Sequence, residues 1–505
     1  MIERSSGIMI HITSLPGNYG IGDMGRNSRD FIDFLSNAGQ RYWQFLPVGP
    51  TSMEFGNSPY TSLSAFAGNP LLIDLDQLRE AGFLSDADFA QQPDFSEYFV
   101  EFEKVVPYKE RLLKIAFKAF QSMGGSPEFD RFCKQEKWLD DYALFMSLRK
   151  ENNQLPWNEW DRAVAVREEA AMNKSRKGLA DQLLFHKFVQ FCFYNQWDKM
   201  RQYAARKGVV LIGDIPIYVG WDSADVWANQ ECFRLDKKTL QPTHVAGVPP
   251  DYFSDTGQRW GNPLYRWKTG NGRLNAPLYS WWKERFNITF KIVDIVRIDH
   301  FRGFEAYWEI PAKEKTAVKG CWVKGPGIDF FKEMSADFKN LPIIAEDLGV
   351  ITPEVEKIRD DLGFPGMKIL HFAFDSDDKN LYLPHNYKTT NCIVYTGTHD
   401  NDTTVGWLYD PEVSPTSKER AMRYANSLNG DNIHWDFIQM AFSSVAKIAI
   451  IPMQDVLGFG GDCRMNRPST PKGNWVWRCA ARFFSEEICT QLKNETSFYG
   501  RLPSL

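Results

Sequence analysis

The stretch Ile295-Val296-Arg297-Ile298-Asp299-His300-Phe301-Arg302-Gly303 decides the fold. A short apolar run ends abruptly in charged residues, which reads as a buried strand delivering polar groups to a surface. Side chains alternate along a strand, so Arg297 and Asp299 share one face while Val296, Ile298 and His300 share the other. A guanidinium and a carboxylate therefore emerge side by side. On its own this is equally a structural ion pair, since such pairs also perturb carboxylates. Repetition changes the reading. Ile343-Ile344-Ala345-Glu346-Asp347-Leu348-Gly349 is a second apolar run ending in carboxylates and glycine, and 392–402, from Cys392 through Thr398-His399-Asp400-Asn401-Asp402, is a third. Three strands that end alike predict one shared polar face.

Working outward, residues 7–15 are β-rich and stop at Pro16-Gly17, 27–37 carry Phe31, Phe34 and Leu35 at helical spacing, and 41–48 form a second strand. Strand, helix and strand in that order favour a parallel sheet. The next convincing strand, 209–218, lies far downstream, so the stretch between must hold inserted structure. Helical patterns occupy 108–122, 138–151 and 179–206, the last returning the chain to the wall of the sheet. After 295–299 and 343–345 come a helix at 352–362 and strands at 367–374, 392–398 and 448–458, with a closing helix around 475–492. Eight apolar strands, most separated by helices, predict an α/β fold: a (β/α)8 TIM barrel. The expected organisation is a single catalytic barrel over 1–505. A mostly helical insertion at 51–178 follows the second strand, and an aromatic-rich insertion at 219–275 follows the third. Within the latter, 247–263 is punctuated by glycine and proline and rich in aromatics, which reads as a lid loop.

The chain has 505 residues with formal net charge −5, a pI near 6.0 and 24% charged residues, a balance that gives no footprint for nucleic acid. The N-terminus shows no basic segment followed by a long apolar one, and no apolar run approaches the ~18 residues needed to span a bilayer. A soluble cytoplasmic protein with no membrane partner is expected. Its eight cysteines form no CxxC pair, against a zinc site or disulfide framework, and are expected to be reduced and mostly buried. Aromatic content is high at 14%, which suits a large core and also the stacking of pyranose rings on flat side chains.

In such barrels the chemistry lies at the C-terminal ends of the strands, where Asp214, Arg297, Asp299, His300, Glu346, Asp347, His399 and Asp400 fall. Two chemistries compete for them. Clustered carboxylates on successive strands hold Mg²⁺ in enolase-like sites, although the HExxH and EF-hand patterns are absent. Glycoside chemistry instead needs one carboxylate as nucleophile and one carboxylic acid to protonate the departing oxygen, about 5 to 5.5 Å apart for retention. Asp299 and Glu346 on adjacent strands suit that requirement. Arg297 would lower the pKa of Asp299, and neighbouring carboxylates with partial burial would raise that of Glu346.

The motifs Arg297-Ile298-Asp299-His300-Phe301-Arg302-Gly303, Ala345-Glu346-Asp347-Leu348-Gly349 and Gly397-Thr398-His399-Asp400-Asn401-Asp402-Thr403 resemble those of the 4-α-glucanotransferases, or amylomaltases, relatives of the α-amylases. The resemblance runs from His11 to Arg478. It implies transfer of α-1,4-glucan segments between maltooligosaccharides by a double displacement, with release of glucose, no cofactor and no metal. By the family motif Asp299 is the nucleophile, Glu346 the general acid and then base, and Asp400 a third carboxylate that binds sugar hydroxyls. Tyr60, Asp214, Arg297 and His399 fall where the family contacts the transferred sugar, and His300 and Asp347 match neighbouring positions. Tyr252, Phe253 and Trp260 correspond to the family's aromatic loop, and Asn466 belongs to a further signature, Arg464-Met465-Asn466-Arg467-Pro468. One departure follows it, Ser469 standing where the family pattern has glycine. The oligomeric state is not legible. Two rival readings remain: an α-amylase-type hydrolase, and a glucan-binding barrel without catalysis.

Overall fold

The computed structural model describes residues 3–250, 254–427, 429–470 and 472–503. Eight parallel strands are laid down at Ser5–Met9 (β1), Tyr42–Gln44 (β2), Val210–Pro216 (β3), Ile295–Asp299 (β4), Ile343–Ala345 (β5), Gly366–Ile369 (β6), Cys392–Tyr395 (β7) and Ile448–Pro452 (β8). Hydrogen-bonded neighbours run β6-β7-β8-β1-β2-β3-β4-β5. The remaining seam is closed where Ala345 N–H donates to the carbonyl of Pro365 at 3.0 Å. The fold is thus the expected (β/α)8 barrel.

Alternation along the strands sorts their residues into two populations. Met9, Tyr42, Ile212, Ile344, Met367, Ile369, Ile393, Tyr395, Ile448 and Ile450 form one buried cluster, filling the barrel. Their sequence neighbours Ile8, Trp43, Leu211, Ile343, Val394 and Ala449 join the larger core between strands and helices. Both faces are covered, which is why these strands read as continuous apolar runs and not as alternating ones. Gly7 is required at its position: a Cβ there would lie 2.4 Å from the Cβ of Tyr42 on the adjoining strand.

Between β2 and β3 the chain runs through helices that include Phe102–Ser122, Leu139–Glu151 and Ala180–Arg206. The last of these grips the loops after β2 through two glutamines. The side-chain amide of Gln190 bonds both backbone groups of Gly68, at 2.8 and 2.9 Å, and that of Gln196 does the same for Asp74, at 2.8 and 2.9 Å.

Four expectations need correction. Several strands are shorter than their apolar runs, because Ile12–Ser14, Leu370–Phe372 and Met453–Val456 turn into short helices on the core. The stretch read as a loop at 247–263 is partly sheet. Gln258–Pro263 pairs antiparallel with His244–Val248, which pairs with Ala306–Pro311, which pairs with Cys321–Lys324. That partnership spans β4 in sequence, so local patterning does not reveal it. The closing helix begins later than 475, at Glu486, capped by the hydroxyl of Ser485. Residues 476–478 instead run extended, with Val100 N–H donating to Val476 O at 2.7 Å and Arg478 N–H to Tyr98 O at 2.8 Å. Lastly, only four of the eight cysteines are buried, Cys192, Cys232, Cys392 and Cys479, while Cys133, Cys463 and Cys489 are half-buried and Cys321 is exposed. Among the described residues no helix is long and apolar enough to cross a membrane.

Candidate active site

Polar residues replace apolar ones where the inward-facing rows reach the C-terminal rim. Ile212 is followed two residues on by Asp214, Ile295 by Arg297 and then Asp299, and Ile344 by Glu346. The alternation that builds the barrel core thus converges a cation and three carboxylates.

Arg297 is the hub. Its two terminal nitrogens donate to Asp214 Oδ2 at 2.6 Å and to Asp299 Oδ1 at 2.9 Å, and its Nε reaches Met367 Sδ at 3.4 Å. The arginine and Asp214 side chains are almost wholly buried, while Asp299 keeps 33% of its side-chain surface. Tyr60 donates its hydroxyl to Asp214 Oδ2 at 2.8 Å. Its ring lies parallel to that of His399, centroids 5.1 Å apart, and Trp475 packs against both.

Glu346 is held by backbone and not by a cation. Its oxygens accept from His300 N–H at 2.7 Å and Leu348 N–H at 2.8 Å. Burial first, then the charge of Asp299, pushes its pKa up to about 8, against the opposing pull of Arg297 and those two amides. Asp299 also lies above the ordinary carboxylate range. Here burial outweighs Arg297, with Asp214 and Asp400 adding to the rise. The expected lowering by Arg297 is present as a contribution but does not set the net direction.

Asp400 occupies the loop after β7. Its Oδ1 accepts from Asn466 Nδ2 at 2.6 Å, its Oδ2 lies 3.5 Å from His399 Nε2, and half of its side chain is exposed. Arg464 donates to the backbone oxygens of Asp400 and Asn466, both at 2.6 Å.

His300 adopts a left-handed backbone, φ 54°, which ends the strand and breaks the alternation expected for it. Its ring meets Trp260 edge-on at 4.8 Å, and its buried Nε2 has no hydrogen-bond partner among the described residues. Asp347 does not join the group. It is buried against Arg359 of the helix Pro353–Asp361 and accepts from Met367 N–H at 2.7 Å, because residue 347 follows the outward-facing row of β5. Tyr252 and Phe253 lie outside the described residues.

Three contributors went unassigned in the sequence: Arg464, Trp475 and Met367. Arg464 belongs to a quoted motif, so its charge was a usable signal. Trp475 has φ 64°, costly for an aromatic residue, and the tertiary structure alone reveals it.

A closed parallel barrel with a partly buried carboxylic acid and a partnered carboxylate at its C-terminal rim defines a barrel enzyme of acid/base and nucleophilic chemistry. A family model described as 4-alpha-glucanotransferase matches residues 10–483. The 4-alpha-glucanotransferase of Synechocystis sp. is 49% identical over 504 residues, 99% of this chain and 98% of its own, and that of Thermus thermophilus is 46% identical over 97% and 98%. A solved amylomaltase from Streptococcus agalactiae, in complex with acarbose, covers 99% of this chain and 100% of its own, with a TM-score of 0.94 at 39% identity. The chain belongs to the 4-alpha-glucanotransferase family, and its activity is the transfer of α-1,4-glucan segments.

Proposed function

We propose that transfer proceeds by a retaining double displacement on maltooligosaccharides. Asp299 attacks the anomeric carbon while Glu346 gives its proton to the departing glycosidic oxygen, leaving a covalent glycosyl-enzyme and a free reducing-end sugar. Glu346, now a carboxylate, takes the proton of an acceptor hydroxyl, which attacks the same carbon and frees Asp299. With maltotriose as donor the first released product is glucose. The observation that carries this reading is the division of labour in one partly buried pair. Asp299 has a guanidinium 2.9 Å away and gives up its proton first, whereas Glu346 has only backbone donors and remains an acid up to about pH 8. Asp400 and His399 take sugar hydroxyls at the rim. Tyr60 and Asp214 hold Arg297 and the sugar being transferred, and Trp260 with His300 forms a wall that favours a sugar over water as acceptor. Tyr252 and Phe253 are read as further sugar contacts from the resemblance of their stretch to the family's aromatic loop, and the buried Asp347 links β5 to β6 through the Met367 N–H. Eight free cysteines, four of them buried, suit a reducing cytoplasm.

Incubation with maltotriose in EDTA tests the function, and glucose with maltopentaose and longer chains is the expected result. Glucose and maltose alone would make the protein a hydrolase, and loss of reaction on chelation would restore the metal reading. For the mechanism, Glu346→Gln treated with maltosyl fluoride should gain the mass of one maltosyl group. The same variant carrying Asp299→Asn should not.

A further inference from the structure

The loop 397–403 poses a mechanical problem. It carries His399 and Asp400, yet the Asp400 side chain is half exposed and has no core packing to fix it. Within the loop, Asn401 Oδ1 accepts from Thr398 N–H and Thr398 Oγ1, each at 2.9 Å, which shapes the turn without attaching it to the barrel. Asn466 and Arg464 hold the tip of the loop, and its two ends are attached from below. Asp455 sits in the short helix Met453–Val456 directly after β8 and is only 1% exposed. One of its oxygens accepts from Thr396 Oγ1 at 2.5 Å and the other from Thr404 N–H at 2.7 Å. Thr396 is the residue after β7, and Thr404 opens the helix Thr404–Tyr409. One carboxylate therefore pins both ends of the seven-residue loop. His371 braces the same two residues from β6's side, its N–H donating to Thr396 O at 3.2 Å and its Nε2 lying 3.1 Å from Thr404 Oγ1.

We infer that Asp455 is a positioning residue for catalysis, acting through Thr396 and Thr404 to hold Asp400 at the sugar. The inference rests on the role proposed above for Asp400. A neutral residue would anchor less well: two donors point at one buried spot, and a carboxylate accepts both without a competing N–H. Burial, with the like charge of Asp402 adding to it, brings its pKa up to about 6. A carboxylate kept in such a place without a salt bridge among the described residues is costly, so its two hydrogen bonds must offset that cost.

The experiment is a double-mutant cycle between Asp455→Asn and Asp400→Asn, with maltosyl fluoride as donor and maltose as acceptor so that impaired variants stay measurable. Asp455→Asn should lower kcat about 10- to 100-fold with KM within about twofold, while its further cost in the Asp400→Asn background falls below about twofold. Thr396→Val, which removes one anchoring hydroxyl, should lower kcat about tenfold and also lose its effect in that background. It decides the matter if Asp455→Asn does not fold. Equal fold-losses in both backgrounds would reduce Asp455 to a structural residue, as would an unchanged kcat. Full activity of Asp400→Asn alone would instead sink the role of Asp400, and the inference with it.

Discussion

Asp299 and Glu346 stand where strands of the barrel end, whereas Asp400 stands on a loop between β7 and its helix, and the two regions are secured by different physics. At the strand ends a buried arginine sits between two carboxylates, and backbone amides of the adjoining turns hold Glu346. Position there follows from the sheet itself. At the loop, half-exposed Asp400 depends on side chains borrowed from a neighbouring loop, Asn466 and Arg464. The wall supplies charges whose pKa values must be tuned, and the loop supplies a contact whose geometry must be kept. Buried electrostatics needs rigid backbone, since moving a charge by an ångström in a poorly solvated site changes its energy far more than at a surface.

Substitution at the strand ends has the largest expected effect. Asp299→Asn should reduce turnover of maltotriose by at least about 10⁴-fold while leaving the fold intact, as judged by circular dichroism. Glu346→Gln should cost about 10²- to 10⁴-fold on maltotriose but far less on maltosyl fluoride, whose leaving group needs little acid help. Equal losses on the two donors would remove the acid role. In the native enzyme the maltotriose rate should fall as pH rises through about 8, where Glu346 loses its proton. The same shift governs stability: its folded pKa of about 8 lies above the ordinary 4.5, so the contribution is complete below about pH 4.5 and is lost as pH rises through about 8. Thermal melts at pH 9 should therefore show Glu346→Gln a few degrees above the native protein.

Tyr60→Phe removes one 2.8 Å hydrogen bond to Asp214 and should cost about tenfold in kcat/KM, which would show how far the wall tolerates loosening. Asp347→Asn sharpens the boundary of the site. It leaves Arg359 less well paired, so Tm should fall by a few degrees with kcat unchanged, and a large loss of kcat would return Asp347 to the sugar-binding group. Ser469→Gly should have the smallest effect, a stabilisation of no more than about 1 kcal/mol in a denaturant titration. Ser469 sits at φ 65°, the left-handed region, so the glycine that the family pattern has there meets a backbone demand.

Much of the wall was legible because strands advertise themselves locally. The apolar runs at 209–218, 295–299 and 343–345 all proved to be barrel strands, and period-two alternation put Arg297 and Asp299 on one face. The same rule, applied one residue further, would have turned Asp347 outward. His300 escaped it because a left-handed residue ends the alternation. Runs such as 367–374 overstated their strands, since apolar residues in the turn Leu370–Phe372 pack on the core as well as strand residues do. The small sheet was hidden because Val245 pairs with Ile310, and nothing near either residue announces the other.

What the sequence determined by itself was the eight-strand barrel and the residue types at its rim, because hydrophobic periodicity and turn chemistry act between near neighbours. Only the tertiary structure decided which polar groups meet: that Arg297 is shared by Asp214 and Asp299, that Glu346 is left without a cation, and that Asp455 reaches both ends of the Asp400 loop. Apart from the Arg297–Asp299 pair, those meetings join residues 51 to 83 positions apart. The outcomes also depend on burial, which together with the charge of Asp299 turns a carboxylate ordinary in sequence into an acid at neutral pH.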